Sequence, residues 1–160
     1  MEAIIINPFL DATINLFSRM FDLKPDPGEP HLVDAFGNHR WEISGVISFL
    51  GNNTGIVVIR LPQHLADKLL DLSGMNCETE EQRHQLVAEM VGEFTNIIAG
   101  NAAGILYEKN INLAISPPIV IQGKNHRINW PDHAPIIGIP FITKYGPLTV
   151  DVSMKHIPIL

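Results

Sequence analysis

Glu89-Met90-Val91-Gly92-Glu93-Phe94-Thr95-Asn96-Ile97-Ile98-Ala99-Gly100-Asn101 is the stretch around which the rest of this chain is arranged. Leu86, Met90, Phe94 and Ile97 recur along one side of it, with Val87, Val91 and Ile98 beside them. The opposite side carries Gln85, Glu89, Glu93, Asn96 and Gly100. That period predicts an amphipathic helix with one face in a core and one in solvent. Residues three apart on a helix are neighbours, so Glu93 and Asn96 project side by side from the polar face. An acid beside an amide, with no nucleophile at hand, suits orienting a water and a partner rather than forming a covalent intermediate. Upstream, Thr79 followed by Gln82 fits a capping box and sets the start of the helix; Asn110 marks its end.

Working outward, a first helix is predicted from Asn7 as N-cap, with Pro8 at the first helical position and Leu10, Ile14, Phe17 and Phe21 as its apolar stripe. The prolines of residues 24–30 make that segment a loop. Residues 31–36, 41–50 and 55–61 read as strands, the last two joined at Gly51-Asn52-Asn53-Thr54 as a hairpin. Pro62 opens a short helix carrying Leu65, Leu69 and Leu72, with Gly74 at its end. Residues 73–81 form a polar joint. Beyond the long helix, 113–115 and 119–122 read as strands around Pro117-Pro118, and 136–143 with 147–155 as a second long hairpin. In that last strand Leu148, Val150, Val152 and Met154 alternate with Thr149, Asp151, Ser153 and Lys155, the pattern of a sheet face solvated on one side.

The expected class is α+β: long helices packed on an antiparallel sheet, in a single domain over 1–160. Prolines among the later strands suit edges and bends rather than a central parallel sheet. The two halves share an order of helix, loop and strands ending in a hairpin. Aligning Asp11 with Glu93 brings Thr13 onto Thr95 and Ile14 onto Asn96, a weak internal duplication in which only the second half keeps the acid–amide pair.

Composition narrows the function classes. Charged residues make up 18% of the chain, against roughly 25% on average, which favours well-covered faces or a face buried in an oligomer. The formal net charge is −6 and no Lys/Arg cluster occurs, arguing against nucleic acid or an anionic membrane as partner. The lone cysteine, Cys77, points to a reducing compartment and reads as an idle thiol in the polar joint. The start Met1-Glu2-Ala3-Ile4 lacks a basic n-region, and no apolar run is long enough to span a membrane, so the expected location is the cytoplasm. His31, His39, His64, His84, His126, His133 and His156 are scattered without His-x-x-x-His spacing, so no metal site of the chain's own is expected. None of its serines sits in a Gly-x-Ser-x-Gly elbow, and no Walker-type phosphate loop is present. Trp41 and Trp130 read as core or interface anchors.

The segment Gly92-Glu93-Phe94-Thr95-Asn96-Ile97-Ile98-Ala99-Gly100-Asn101 resembles the Glu-x-x-Asn signature of CheX-type chemotaxis phosphatases. These belong to the CheC/CheX/FliY family, which dephosphorylates the response regulator CheY. The Asn7-Pro8-Phe9 helix start, the hairpin between Gly45 and Leu61 and the final hairpin fall in the order of that fold, so the likeness covers nearly the whole chain. The resemblance implies that Asn96 holds a water in line with the phosphoryl group of an aspartyl phosphate, while Glu93 engages a lysine of the regulator. Mg²⁺ and the phosphorylated aspartate would both belong to the receiver domain. It also implies a homodimer made through the sheets. Where the wider family often has Asp or Ser four residues before the Glu, this chain has Glu89, whose role stays open. With Asp11 and Ile14 in the first helix, one site per chain is expected.

The chemistry fits such a division of labour. Phosphoryl transfer asks a protein mainly for positioning and electrostatic stabilisation. An amide donates and accepts at once and stays neutral beside a dianionic phosphoryl group, where a carboxylate would be repelled. Gly100 and Gly104 interrupt the helix at ~1 kcal/mol each relative to Ala; they serve either the close approach of another protein's backbone or contact with a neighbouring helix of the same chain. A non-catalytic module that docks a receiver domain or flagellar-switch component is the alternative to a phosphatase, and a metal-dependent hydrolase a third.

Overall fold

Among the described residues, three helices lie on one face of an eight-stranded antiparallel sheet. The computed structural model describes residues 3–156; Met1, Glu2 and 157–160 of the expected 1–160 domain lie outside the described residues, as does the side chain of His156. The order is α1 (Ala3–Phe21), β1 (Asp26–Pro27), β2 (His31–Leu32), β3 (Ile43–Gly51), β4 (Asn53–Leu61), α2 (Gln63–Leu72), α3 (Glu80–Glu108), β5 (Leu113–Ile115), β6 (Ile119–Gln122), β7 (Ile136–Thr143) and β8 (Gly146–His156). Along the sheet the strands run β1-β7-β8-β4-β3-β5, with β2 also on β7 and β6 also on β3.

The two halves of the chain are interleaved by this topology. Hairpin β3–β4 meets hairpin β7–β8 through the central pair β4–β8, in register from Asn53↔His156 to Arg60↔Thr149. The short strands that follow α1 pair with β7 of the second half, and those that follow α3 pair with β3 of the first. The helices correspond as well. Shifted by the offset that places Asp11 on Glu93, the buried residues Pro8, Phe9, Ala12, Thr13, Leu16 and Phe17 of α1 fall on Met90, Val91, Phe94, Thr95, Ile98 and Ala99 of α3, all buried. Thr13 Oγ1 donates to Phe9 O at 2.7 Å, and Thr95 Oγ1 to Val91 O at 2.6 Å, the same bond at the same place. The weak duplication read from sequence is an architectural one.

The core fills the space between helices and sheet. Phe17 and Phe94 join α1 to α3 with ring centroids 5.8 Å apart, and Phe9 reaches Phe49 of β3 at 5.7 Å. Such tilted ring pairs add to the burial of large apolar area. Arg83 near the start of α3 pairs with Asp71 at 2.9 Å and Asp67 at 3.4 Å, tying α3 to α2.

Several expectations need correction. Helix α1 starts at Ala3, so Pro8 lies inside it rather than at its first position. Ile6 is buried in line with Phe9 and draws the helix upstream; the bond that Pro8 cannot make falls at Ile4, an exposed residue where water is an alternative donor. The core stripe of α1 is rotated from the expected one: Phe17 and Phe21 are buried, whereas Leu10 and Ile14 sit half-buried at its border. In α2 Leu70 is buried and Leu72 is exposed, because the helix ends there. Of the expected 31–36 strand, His31 and Leu32 pair with β7 and Val33 N adds one bond to Ile136 O at 2.9 Å, while Asp26 and Pro27, expected as loop, add to the β7 edge. The largest departure is in β8. Thr149, Asp151 and Ser153 were expected in solvent but are at most 4% exposed. Residues 31–35, 37–41, Arg127, Ile128 and Trp130 line a cavity together with Arg60, Thr149 and Asp151, so the face at Thr149 and Asp151 is covered too.

Candidate active site

Helix α3 is fixed at both ends and in rotation. Thr79 Oγ1 accepts from Gln82 N at 3.1 Å as N-cap, and the Gln82 side chain accepts in return from Glu78 N at 2.8 Å. At the other end Asn110 takes a left-handed conformation with φ 63°. Ile111 N then bonds to Leu106 O at 2.9 Å and Asn110 N to Tyr107 O at 3.0 Å, a Schellman cap that closes the last carbonyls. Rotation is set by Thr95, which seats directly on Gly45 of β3: a Cβ there would collide with Thr95 Oγ1 and lie 3.1 Å from Val91 Cγ1.

With Thr95 turned to the sheet and Phe94 to Phe17 and Phe21 of α1, Glu93 and Asn96 point away from both. Both are exposed, as are Glu89 and Gly100, in the arrangement the helical period predicts. Neither Glu93 nor Asn96 makes a side-chain hydrogen bond or ion pair among the described residues. An amide and a carboxylate on a rigid helix, both with unused hydrogen-bonding capacity, are available to a visiting molecule.

They form one wall of an open groove of about 940 Å³. The opposite wall is Ser116, Pro117 and Pro118, between β5 and β6. Ser116 anchors that wall to β3, since Ser48 N donates to Ser116 Oγ at 2.9 Å and Ser116 N to Ser48 O at 3.0 Å. Gly92 lies on the groove floor, and a Cβ on it would meet Val120 Cγ2 at 3.5 Å and Pro118 Cγ at 3.8 Å, ordinary contact. A Cβ at Gly100 would find only Ile115 Cδ1 at 3.9 Å, and one at Gly104 nothing within 4 Å. These two glycines therefore do not serve close packing inside the described structure.

The diproline wall was not recognised from sequence as part of the site, and no local signal couples it to α3. A second constellation also went unread: Ser44, Arg60, His39, His126, Thr149 and Asp151 cluster on the other face of the sheet. Ser44 Oγ lies 2.6 Å from His126 Nε2, but the serine is fully buried and accepts from Arg60, so it is not a nucleophile for a large substrate. Among the described residues no three His, Cys, Asp or Glu side chains converge as a metal centre. Cys77 is half-buried against the core, with its thiol free.

Comparison with known proteins agrees with this geometry. A family model described as chemotaxis phosphatase CheX matches residues 43–142, more than half of the chain and including all of α3. The structure is similar to a CheC-like superfamily protein from Shewanella sp. PV-4, at 30% identity and TM-score 0.84 over 97% of this chain and 99% of that one. Chemotaxis protein CheX from Vibrio vulnificus matches at 28% identity and TM-score 0.82 over 94% of this chain and 99% of its own. CheX from Borrelia burgdorferi, solved as a complex with CheY, BeF₃ and Mg²⁺, shares the fold at TM-score 0.79 and 24% identity, over 94% of this chain and 97% of that one. No curated protein matches the sequence.

Proposed function

The chain belongs to the CheX family of chemotaxis phosphatases, and from that premise we propose that it hydrolyses the aspartyl phosphate of a CheY-like receiver domain. One observation carries the reading at residue level. Glu93 and Asn96 stand exposed and unpaired on the same face of a capped, rigid helix, beside an open groove.

Asn96 enters the receiver's catalytic pocket, where its carboxamide accepts from and donates to a water in line with the phosphoryl group. That water attacks phosphorus, the bond to the aspartyl oxygen breaks, and inorganic phosphate and a free aspartate result. The partner supplies the Mg²⁺ that offsets charge on the phosphoryl oxygens. This chain contributes position: a water held within attack distance removes much of the entropic part of the barrier. Glu93, one turn away, engages a lysine of the receiver and sets the docking register. The CheX–CheY complex known for the Borrelia relative supports a receiver as partner. We place the protein in the cytoplasm with that partner, in keeping with the absence of any helix long and apolar enough to cross a membrane among the described residues.

The protein is further proposed to form a homodimer through its sheets. Leu50 and Ile119 are 58% and 65% exposed at one end of the sheet, and Leu32 and Ile142 are 72% and 65% exposed at the other. Light scattering on the purified protein tests this.

The decisive assay is phosphate release from an acyl-phosphorylated receiver in the presence of wild type, Asn96→Ala and Glu93→Ala. Stimulation by wild type that is lost in Asn96→Ala supports the phosphatase. Wild type that binds the phosphorylated receiver and leaves its hydrolysis unchanged is instead a docking module.

A further inference from the structure

On the sheet face away from the helices, Arg60 is a buried cation short of acceptors. It lies in the cross-strand row Ser44–Arg60–Thr149–Pro140 and is 4% exposed. Its Nε donates to Ser44 Oγ at 3.2 Å, and the serine hydroxyl turns to His126 Nε2 at 2.6 Å. His126 Nδ1 lies 2.7 Å from Gly123 O, so Nδ1 carries the proton and Nε2 accepts. Burial pushes the His126 pKa down, in keeping with a neutral ring.

The rest of the guanidinium fares worse. Its Nη2 is 3.1 Å from His39 Nε2. However, Trp41 N–H donates to His39 Nδ1 at 3.1 Å, which puts the ring proton on Nε2, where it faces His126 O at 2.7 Å. His39 Nε2 therefore has no lone pair to offer Arg60. Nη1 comes no closer to Asp151 Oδ2 than 4.0 Å, beyond hydrogen-bond length, and Asp151 Oδ1 already accepts from the Thr149 hydroxyl at 2.6 Å. The donors these neighbours leave unfilled open onto a cavity, where a ligand or water can meet them.

Arg60 lines a cavity of about 670 Å³, within the ~300–1,000 Å³ common for small-molecule sites. Trp41, Trp130 and Phe141 supply aromatic lining, and Arg40 and Arg127 add two further cations, Arg40 lying over the Trp41 ring at 5.2 Å. No residue of this cavity belongs to the groove beside Asn96. We propose that it is a binding site for a small organic carboxylate with an aromatic or apolar body, the carboxylate held by the terminal amino groups of Arg60 and the body resting on Trp41 and Trp130. Planar guanidinium and planar carboxylate match in a two-bond fork. Asp151 opposes any anion here, a phosphate dianion more than a monoanionic carboxylate, and only the carboxylate ligand brings an apolar body to match the aromatic lining.

The chain's two tryptophans both line this cavity, so their emission responds to an occupant; Trp41 also borders a smaller cavity with Lys124 and Asn125, and Trp130 does not. The intact protein is titrated with phenylacetate, with the neutral isostere phenylacetamide, and with inorganic phosphate. Phenylacetate should give a saturable change at millimolar concentration or below, with the amide and phosphate about tenfold weaker or worse, the loss of a charge-assisted bond. Arg60→Lys keeps the charge but loses the fork and should weaken phenylacetate about tenfold, with far-UV circular dichroism unchanged. Should that variant fail to fold, the wild type still decides: phenylacetate must shift the Arg60 Nε–H and both indole N–H resonances in NMR spectra. No response at millimolar phenylacetate, equal affinity for the amide, preference for phosphate, or a static Arg60 resonance would each overturn the assignment.

Discussion

Helices α1 and α3 occupy corresponding places in one fold, bury corresponding residues and bend a buried threonine hydroxyl to the same backbone carbonyl. They differ on the side turned away. Where α3 exposes Glu93 and Asn96, α1 has exposed Asp11 and half-buried Ile14. Where α3 has Gly92 and Gly100, the same offset gives α1 Leu10 and Ser18. The inner faces are held alike by a shared packing problem, while the outer faces are free to diverge. On the function proposed, chemistry resides in what distinguishes the helices, and stability in what they share.

The largest effect should come from the residue with no counterpart. Asn96→Ala should lower receiver-stimulated phosphate release by ~10²–10³, the usual loss for one preorganised polar group. Because Asn96 is exposed within α3 and Ala is the better helix former, the variant's urea midpoint should not fall and should rise slightly, by the equivalent of about half a kcal/mol. The reciprocal change tests the comparison from the other side. Asp11→Glu with Ile14→Asn, placed in the Asn96→Ala background, should restore no activity, since α1 keeps Leu10 where α3 has Gly92. Recovery of phosphate release would show that the pair alone is sufficient and that its surroundings are irrelevant.

How far the sequence revealed this depends on the kind of signal. The long helix was legible because period, N-cap and C-cap agree at Thr79, Gln82 and Asn110, and its polar face followed from the same period. The second hairpin was legible for a similar reason, but its polar side was misjudged. Alternation in Thr149-Val150-Asp151-Val152-Ser153 records polarity, not cover, and the cover comes from irregular segments with no period of their own. A signal was present in Arg60, a lone cation within the apolar run Gly55–Leu61, where a central strand has little access to water. The diproline wall was legible only as a bend, because its relation to Asn96 is made by β5 and β6 pairing with β3 rather than by anything nearby in sequence.

What seats the active helix is the next target. Gly45→Ala pushes a methyl into Thr95 Oγ1 and toward Val91. Overpacking of this kind typically costs ~1–3 kcal/mol, read as a lower urea midpoint with unchanged slope. Because the helix must lift or turn to relieve the contact, phosphate release should fall as well. A variant with full stability and activity would mean that the Thr95–Gly45 contact does not set the orientation of Asn96. A smaller, kinetic effect is expected from Glu93→Ala. An exposed charge acting in docking should raise KM for the phosphorylated receiver by about tenfold, with kcat little changed and the difference shrinking at high salt. A fall in kcat at unchanged KM would move Glu93 from docking into the chemical step.

The smallest effect separates the two helices most sharply. Gly100→Ala in α3 adds a methyl where the nearest side-chain atom is 3.9 Å away, in an exposed helix interior. Helix propensity alone should then raise stability by up to ~1 kcal/mol. The equivalent change in α1, Ser18→Ala, should raise it by less, about half as much, and leave phosphate release untouched. If Gly100 is there to admit the receiver's backbone, Gly100→Ala should gain stability and lose receiver affinity together. A glycine kept at a cost to its own helix, and relieved only at a cost to binding, is selected for contact with another molecule. A gain in stability with unchanged affinity would show instead that α3 tolerates Gly100 as idly as α1 tolerates Ser18.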